Sequence, residues 1–243
     1  MNWHQRYLRQ AAWTSDLREY LFDKTSLTGA ERILEVGCGT GAILSGLRAS
    51  AALHGLDREA APLSEARSNA PNVFLVRGDA HSLPYSNQSF DIVYCHFLLL
   101  WVNDPIEALK EMKRVTKSNG HVLAIAEPDY TARIDQPDGL TALGNLQNES
   151  LKRQGADIGL GSRLADLFFQ AGINIVETGA IQSRAQDALP SGEWQSEWEV
   201  VESDLADFVP GGEILRLKKL DEHARMNGWR VLNVPTYFAW GQV

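Results

Sequence analysis

The sequence predicts an α/β fold built on a doubly wound, mostly parallel sheet of seven strands. Short apolar runs alternate with amphipathic helical patterns over the first half of the chain. A glycine-rich turn, Gly37-Cys38-Gly39-Thr40-Gly41, directly follows the first of those runs. The 243 residues, 44% apolar and 22% charged, suffice to bury such a core.

The elements follow in order. Tyr7, Leu8, Ala11, Ala12, Leu17, Tyr20 and Leu21 recur at a loose helical period, so residues 1–30 read as helical, ended by Thr28-Gly29. Residues 32–36 form a strand and 42–47 a helix. Residues 51–56 form a second strand that ends at Asp57. A short helix over 63–70 tolerates Pro62 in its first turn. Strands follow at 73–76 and 90–95. Ile106, Leu109, Met112 and Val115 then mark one face of a helix. Asn103 or Asp104 caps it, Pro105 suits its first turn, and Asn119-Gly120 stops it. Residues 121–126 are the fifth strand.

Beyond Glu127 the rhythm changes. Leu140, Leu143, Gln147 and Leu151 mark an inserted helix. Ser162 caps another, with Leu164, Leu167, Phe168 and Ala171 on one face, and a strand follows at 173–176. Trp194, Trp198, Val201, Leu205 and Phe208 form a helical stripe, which reads more readily as core than as an aromatic roof over a substrate. Ile214, Leu217 and Leu220 mark a further helix, and 236–243 the last strand. The whole reads as a single domain over 1–243. It comprises an N-terminal helical segment (1–30), a ligand-binding half (31–130) and helical inserts at 131–160 and 181–230 that form a lid.

A net charge of −8 argues against nucleic acid and anionic membranes as partners. Lys110, Lys113, Arg114 and Lys117 alternate with Glu107 and Glu111, as on a solvated helix face. Cys38 and Cys95 have no metal-ligand spacing, so no metal site is expected. The first residues lack an apolar signal core, and no apolar run is long enough to span a bilayer. The expected setting is the cytoplasm.

The glycine turn carries the chemistry. In an open α/β sheet, ligands bind beyond the carboxyl ends of the strands, where the strand order reverses. Glycines there let backbone approach a ligand, and exposed N–H groups favour electron-rich partners. Gly37, Gly39 and Ala42 also fit the relaxed dinucleotide fingerprint. Asp57, 20 residues after Gly37, suits the ribose hydroxyls of either cofactor class. Glu35 distinguishes the two. A carboxylate suits a cofactor with an amino group and a sulfonium, and sits poorly beside a pyrophosphate. Two further motifs follow, Gly78-Asp79-Ala80-His81-Ser82-Leu83-Pro84 and Phe90-Asp91-Ile92-Val93-Tyr94.

With these motifs in order from Ile33 to Asp129, the chain resembles the class I S-adenosylmethionine-dependent methyltransferases, in the type 11 group that includes quinone and sterol methyltransferases. The resemblance implies a Rossmann-like sheet with an antiparallel last strand. It also implies the cofactor S-adenosyl-L-methionine. The backbone of Gly37, Cys38 and Gly39 would line the methionine part, with Glu35 close by. Asp57 would accept from the ribose and Arg58 would flank the adenine. Asp79 would accept from the adenine amino group, and the Ala80 backbone would bind a ring nitrogen. Cys95 and His96 would sit beside the transferring methyl.

His96 is the candidate base by its strand-end position, against the reading that only its backbone lines the pocket. Glu127, Asp129 and Tyr130 are candidates to orient or deprotonate an acceptor, against a reading as solvated loop groups. The expected activity is methyl transfer to O, N or C of a small molecule. Two rivals stand beside it, an NAD(P)-dependent oxidoreductase and a nucleoside-cofactor-binding protein without turnover.

Overall fold

The computed structural model describes residues 3–181 and 191–243. They gather into two compact units.

The first unit contains the chain up to Glu127, Leu160–Gly179 and Tyr237–Val243. Its frame is a seven-stranded sheet. The strands are β1 (Arg32–Val36), β2 (Ala52–Asp57), β3 (Phe74–Arg77), β4 (Phe90–Cys95), β5 (Thr116–Pro128), β7 (Asn174–Ile181) and β9 (Thr236–Gln242), in the order β3-β2-β1-β4-β5-β9-β7. From β3 to β5 every pairing is parallel. The β9 strand runs antiparallel. Asn119 N–H donates to the Val243 carbonyl (2.7 Å) and Val243 N–H to that of Gly120 (3.0 Å), so the end of β9 meets the start of β5. The expected sheet is therefore observed, including its reversed last strand. Buried Ile33, Ile92, Tyr94, Leu123 and Ile125 pack beneath Leu21 and Phe22.

Helices flank this sheet. α1 (Trp3–Trp13) and α2 (Ser15–Lys24) meet at Thr14. α3 is Ala60–Asn69, α4 is Pro105–Val115 and α6 is Leu164–Gln170. Asp104 caps α4 by accepting the Glu107 N–H at 3.0 Å, with Pro105 in the first turn as the sequence predicts.

Two local expectations differ from what is observed. Residues 42–47 make turns and only a 3-10 segment, Leu44–Gly46. Gly41 (φ +75°) and Gly46 bound a stretch too short to repay helix nucleation. The fourth helix ends at Val115, not at Asn119-Gly120. Thr116 is already extended and pairs with Phe90, and Asn119 (φ +66°) lies where the β4–β5 register shifts. The strand partner overrides the local stop signal.

The second unit contains Pro128–Gly159 and Ala180–Thr236. α5 (Thr141–Arg153), α7 (Ser191–Leu205) and α8 (Gly211–Met226) accompany a small antiparallel ribbon of β6 (Ile134–Gln136) and β8 (Val231–Asn233). Leu140, Leu143, Trp198, Val201, Leu205 and Leu217 form its core, so the tryptophan stripe packs inward.

A polar hub lies inside this unit. Asp221 is 2% exposed and accepts from Trp194 Nε1 (2.7 Å), Trp198 Nε1 (2.9 Å), Arg225 Nε (3.0 Å) and Arg230 Nε (2.7 Å). Arg230 also donates to buried Asp135 (2.7 Å), which takes a further ion pair from Arg133 (2.6 Å). Burial pushes the Asp221 carboxyl up, but the two indole N–H groups and the two guanidiniums hold it below its ordinary value. Removing one partner of such a cluster strands buried charge. Asp221→Asn is expected to lower stability by about 3–5 kcal/mol in urea unfolding followed by tryptophan emission. Exposed Asp207→Asn should stay within about 0.5 kcal/mol. Equal midpoints for the two variants would contradict the hub.

Candidate functional site

The strand register brings the sequence motifs to one edge of the first unit. Val36 is level with Leu56 and Cys95, and Asp57 with Arg77. Gly37, Asp57, Gly78-Asp79 and His96 therefore leave the sheet side by side at its carboxyl edge. The strand order reverses here, with β2 on one side of β1 and β4 on the other.

The bend after β1 is tightly built. Gly37, Gly39 and Gly41 have φ of +76°, +51° and +75°, a region that favours glycine. Gly37 and Cys38 N–H both donate to the Leu56 carbonyl, at 2.7 and 3.0 Å. Gly39 N–H donates to Asp57 Oδ2 at 2.8 Å, and Glu59 N–H to Oδ1 at 2.9 Å. A Cβ on Gly37 would lie 2.7 Å from Leu98 Cδ1, and one on Gly39 would lie 3.6 Å from the Tyr7 ring. Gly37 and Gly39 thus put no side chain of their own on the bend; Leu98 and Tyr7 lie against it, and its N–H groups are held by Leu56 and Asp57. His4 ties α1 to the same bend through Thr40 Oγ1 (2.9 Å) and Asn69 (3.1 Å). Nothing in the spacing of His4 gives this away, because its partners are 36 and 65 residues distant.

The other sequence-predicted residues take distinct positions. Asp79 is exposed, and its Oδ1 accepts from His81 N–H (2.9 Å) and Nδ1 (2.7 Å). Those bonds, with His81 nearby, hold its carboxyl below the ordinary value, so it is ionised. Ala80 is buried beside it. Arg58 is exposed and pairs with Glu59 at 3.0 Å. Cys38 turns its sulfur toward Gly55, leaving only its backbone at the bend.

Glu35 is 3% exposed and accepts the Tyr94 hydroxyl at 3.1 Å. Burial pushes its carboxyl up to about 8, against the opposing pull of Tyr94 and Arg18. The resting protein therefore holds it largely protonated, and a nearby cation would favour its ionised form.

Glu127 is fully buried. Its Oε1 accepts N–H from Leu98 and Leu99, both at 3.0 Å, and its Oε2 accepts that of Leu100 at 3.2 Å. Cys95 Sγ lies 4.0 Å away. With Phe97 N–H on the Ala126 carbonyl (3.0 Å) and Phe97 at φ +53°, the carboxylate fixes the loop that places Leu98 over Gly37. Burial raises it to about 7 despite the three N–H donors. This arrangement positions backbone; the carboxylate itself is committed to the loop.

His96 is half-buried, and its Nε2 lies 2.9 Å from Thr14 Oγ1. Trp13 approaches Phe97, with ring centroids 6.2 Å apart. Tyr130 belongs to the second unit. There its N–H donates to Ile158 and its carbonyl accepts from Asn148, while the Asp129 side chain caps Thr131 N–H.

The chain's sole Tyr-x-x-x-Lys spacing, a pattern expected of some hydride-transfer enzymes, joins Tyr20 and Lys24 on α2. Tyr20 is exposed and its hydroxyl meets Glu177 on the outermost strand β7 at 2.8 Å, so this pair is not at the carboxyl ends of β1 to β4. Among the described residues no cluster of three or more His, Cys, Asp or Glu could hold a metal ion. No described helix is long and apolar enough to cross a membrane.

A parallel sheet with a glycine bend and two acidic residues on its carboxyl edge has the layout on which open α/β domains bind nucleotides. The family described as "Methyltransferase domain" matches residues 34–124. An uncharacterized 37.1 kDa protein in transposon TN4556 of Streptomyces fradiae is 31% identical over 195 residues, covering 75% of this chain and 55% of that protein. A demethylmenaquinone methyltransferase of Renibacterium salmoninarum is 38% identical over 112 residues, covering 45% of this chain and 46% of that protein. A solved structure of a methyltransferase-like protein from Bacillus halodurans shares the fold, with a TM-score of 0.65 at 17% identity, covering 94% of this chain and 98% of that one. Over residues 34–124 the chain matches the methyltransferase domain family, and its sheet is that of a methyltransferase-like structure. The chain spans about half the length of the curated relatives just named.

The two raised carboxyls set a pH dependence. Between the ordinary glutamate range and about 7 to 8, folded Glu35 and Glu127 hold protons that the unfolded chain has released. Their contribution to stability therefore falls as pH rises through that window. Below about pH 6.5 the neutral His96 ring acts the other way, so the thermal midpoint of the ligand-free protein is expected to drop between about pH 7 and about pH 8, and Glu35→Gln to shrink the drop. Identical pH slopes for the two proteins would contradict the assignment.

Proposed function

We propose that the chain binds S-adenosyl-L-methionine along the carboxyl edge of β1, β2, β3 and β4 and methylates a small-molecule acceptor. The observation that carries this reading is the glycine bend pinned to Asp57. The residues suit the cofactor in parts. Backbone at Gly37, Cys38 and Gly39 would take the methionine portion, with Glu35 beneath it. Asp57 has lone pairs left for ribose hydroxyls after its two backbone bonds. Asp79 Oδ2 and the Ala80 backbone would receive the adenine, and Arg58 would border it. Cys95 and His96 mark the methyl end.

The cofactor, when bound, supplies an electrophilic methyl group. What the chain contributes is alignment and exclusion of water. Leu98 and Tyr7 cover the bend, and Glu127 holds the leucine loop in place. Burial, with Arg18 nearby, pushes the His96 ring down to about 3, so it stays neutral and acts as a hydrogen-bond partner.

Calorimetric titration with S-adenosylmethionine and with NAD separates this reading from the oxidoreductase. S-adenosylmethionine is expected to bind and NAD to fail. Asp57→Ala should weaken cofactor binding by about 1–3 kcal/mol, roughly 5- to 150-fold. Tight NAD binding alone, or unchanged affinity in the variant, would contradict it. A labelled-methyl assay over a panel of hydroxyl, amine and activated-carbon metabolites tests turnover.

A further inference from the structure

The Thr14 hydroxyl makes three short contacts, and the count of their hydrogens bears on the state of His96. Thr14 is 1% exposed and sits where α1 meets α2. Its Oγ1 lies 3.2 Å from the Ala11 carbonyl, with the Gln10 carbonyl behind it at 3.5 Å, 3.0 Å from Arg18 Nη1 and 2.9 Å from His96 Nε2. A hydroxyl has one hydrogen and two lone pairs. The carbonyl can only accept, so the hydrogen goes there. The guanidinium can only donate, so it takes one lone pair. Arg18 is itself anchored, its Nη1 also donating to the Ala11 carbonyl at 2.6 Å. To complete all three contacts His96 must donate, from a protonated Nε2, into the remaining lone pair.

The other ring nitrogen is then bare. Among the described residues no side-chain or backbone group bonds to Nδ1, and it is not among the fully sealed polar atoms left without a partner. The Phe97 ring meets the imidazole edge-on, centroids 4.7 Å apart at 88°, and restrains its plane. Among the described residues, Arg18 is the charged group that acts on the ring, and it further disfavours a second proton there.

We infer that Thr14 is a positioning residue that fixes His96 as its Nε2–H tautomer, presenting the Nδ1 lone pair to an O–H or N–H of the methyl-accepting substrate. This rests on the reading of the end of β4 as the methyl-transfer end. It narrows the acceptor to a hydroxyl or amine that still carries its hydrogen, since a carbon nucleophile offers no such donor.

The test is nitrogen NMR of the whole chain labelled in its histidines, with His96 assigned from the signals missing in His96→Gln. The expected spectrum has Nε2 protonated and Nδ1 bare. Thr14→Val should move the tautomer ratio by about fivefold or more, the worth of one hydrogen bond, and Thr14→Ser should restore it. A wild-type ring protonated at Nδ1 overturns the proposal, as does a folded Thr14→Val with an unchanged ratio. Should that variant fail to fold, the wild-type tautomer decides alone. Cofactor titration on the same samples separates the two levels. Lost cofactor binding with the expected tautomer strikes the parent reading, whereas the reverse tautomer with intact binding strikes this one.

Discussion

The hydrogen bond from Gly39 N–H to the Asp57 carboxylate joins the end of β1 to the end of β2, and the site depends on it. The chain must leave β1 and turn sharply enough to expose backbone, and it does so through three glycines in left-handed conformations. Such a bend is entropically costly unless something holds it. Here the holders are the Leu56 carbonyl, which takes two N–H groups, and Asp57, which takes a third. The residue suited to a ribose is also the residue that shapes the bend. On the proposed reading, cofactor recognition and loop geometry are one constraint.

A second set of bonds completes the edge from the β4 side. Glu127 gathers three successive N–H groups of the leucine loop, and Leu98 comes to rest against Gly37. Burying a carboxylate costs several kcal/mol unless its oxygens are satisfied, and the cluster of N–H donors meets that need. The outcome is a wall with little freedom beside the bend. The N-terminal helices contribute through His4, Tyr7 and Thr14, each touching a different part of the same edge.

Much of this was legible in the sequence. Parallel strands announce themselves by apolar runs, and their ends by Gly37, Asp57, Asp79 and His96, because a residue that ends a parallel strand lands on a known edge. The cap at Asp104 was legible for the same local reason. What the sequence concealed depends on distance along the chain. Thr14 and His96 are 82 residues apart and Glu127 lies 27 to 29 from its three donors, so no window of periodicity contains them. Glu127 looked like a loop carboxylate beside the acceptor because its burial is a tertiary fact. The stop at Asn119-Gly120 misled because a strand partner claimed Thr116 first. Trp194 and Trp198 were legible as core, but Asp221 as their shared acceptor was not.

The central claim is that the carboxyl edge of the first four strands holds an adenosyl cofactor. A crystal structure grown with S-adenosylhomocysteine tests it most directly. The account predicts the sugar against Asp57, the base beside Asp79 and Ala80, and the amino-acid tail over Gly37 and Gly39. A nucleoside seated elsewhere, with that edge left bare, would contradict it.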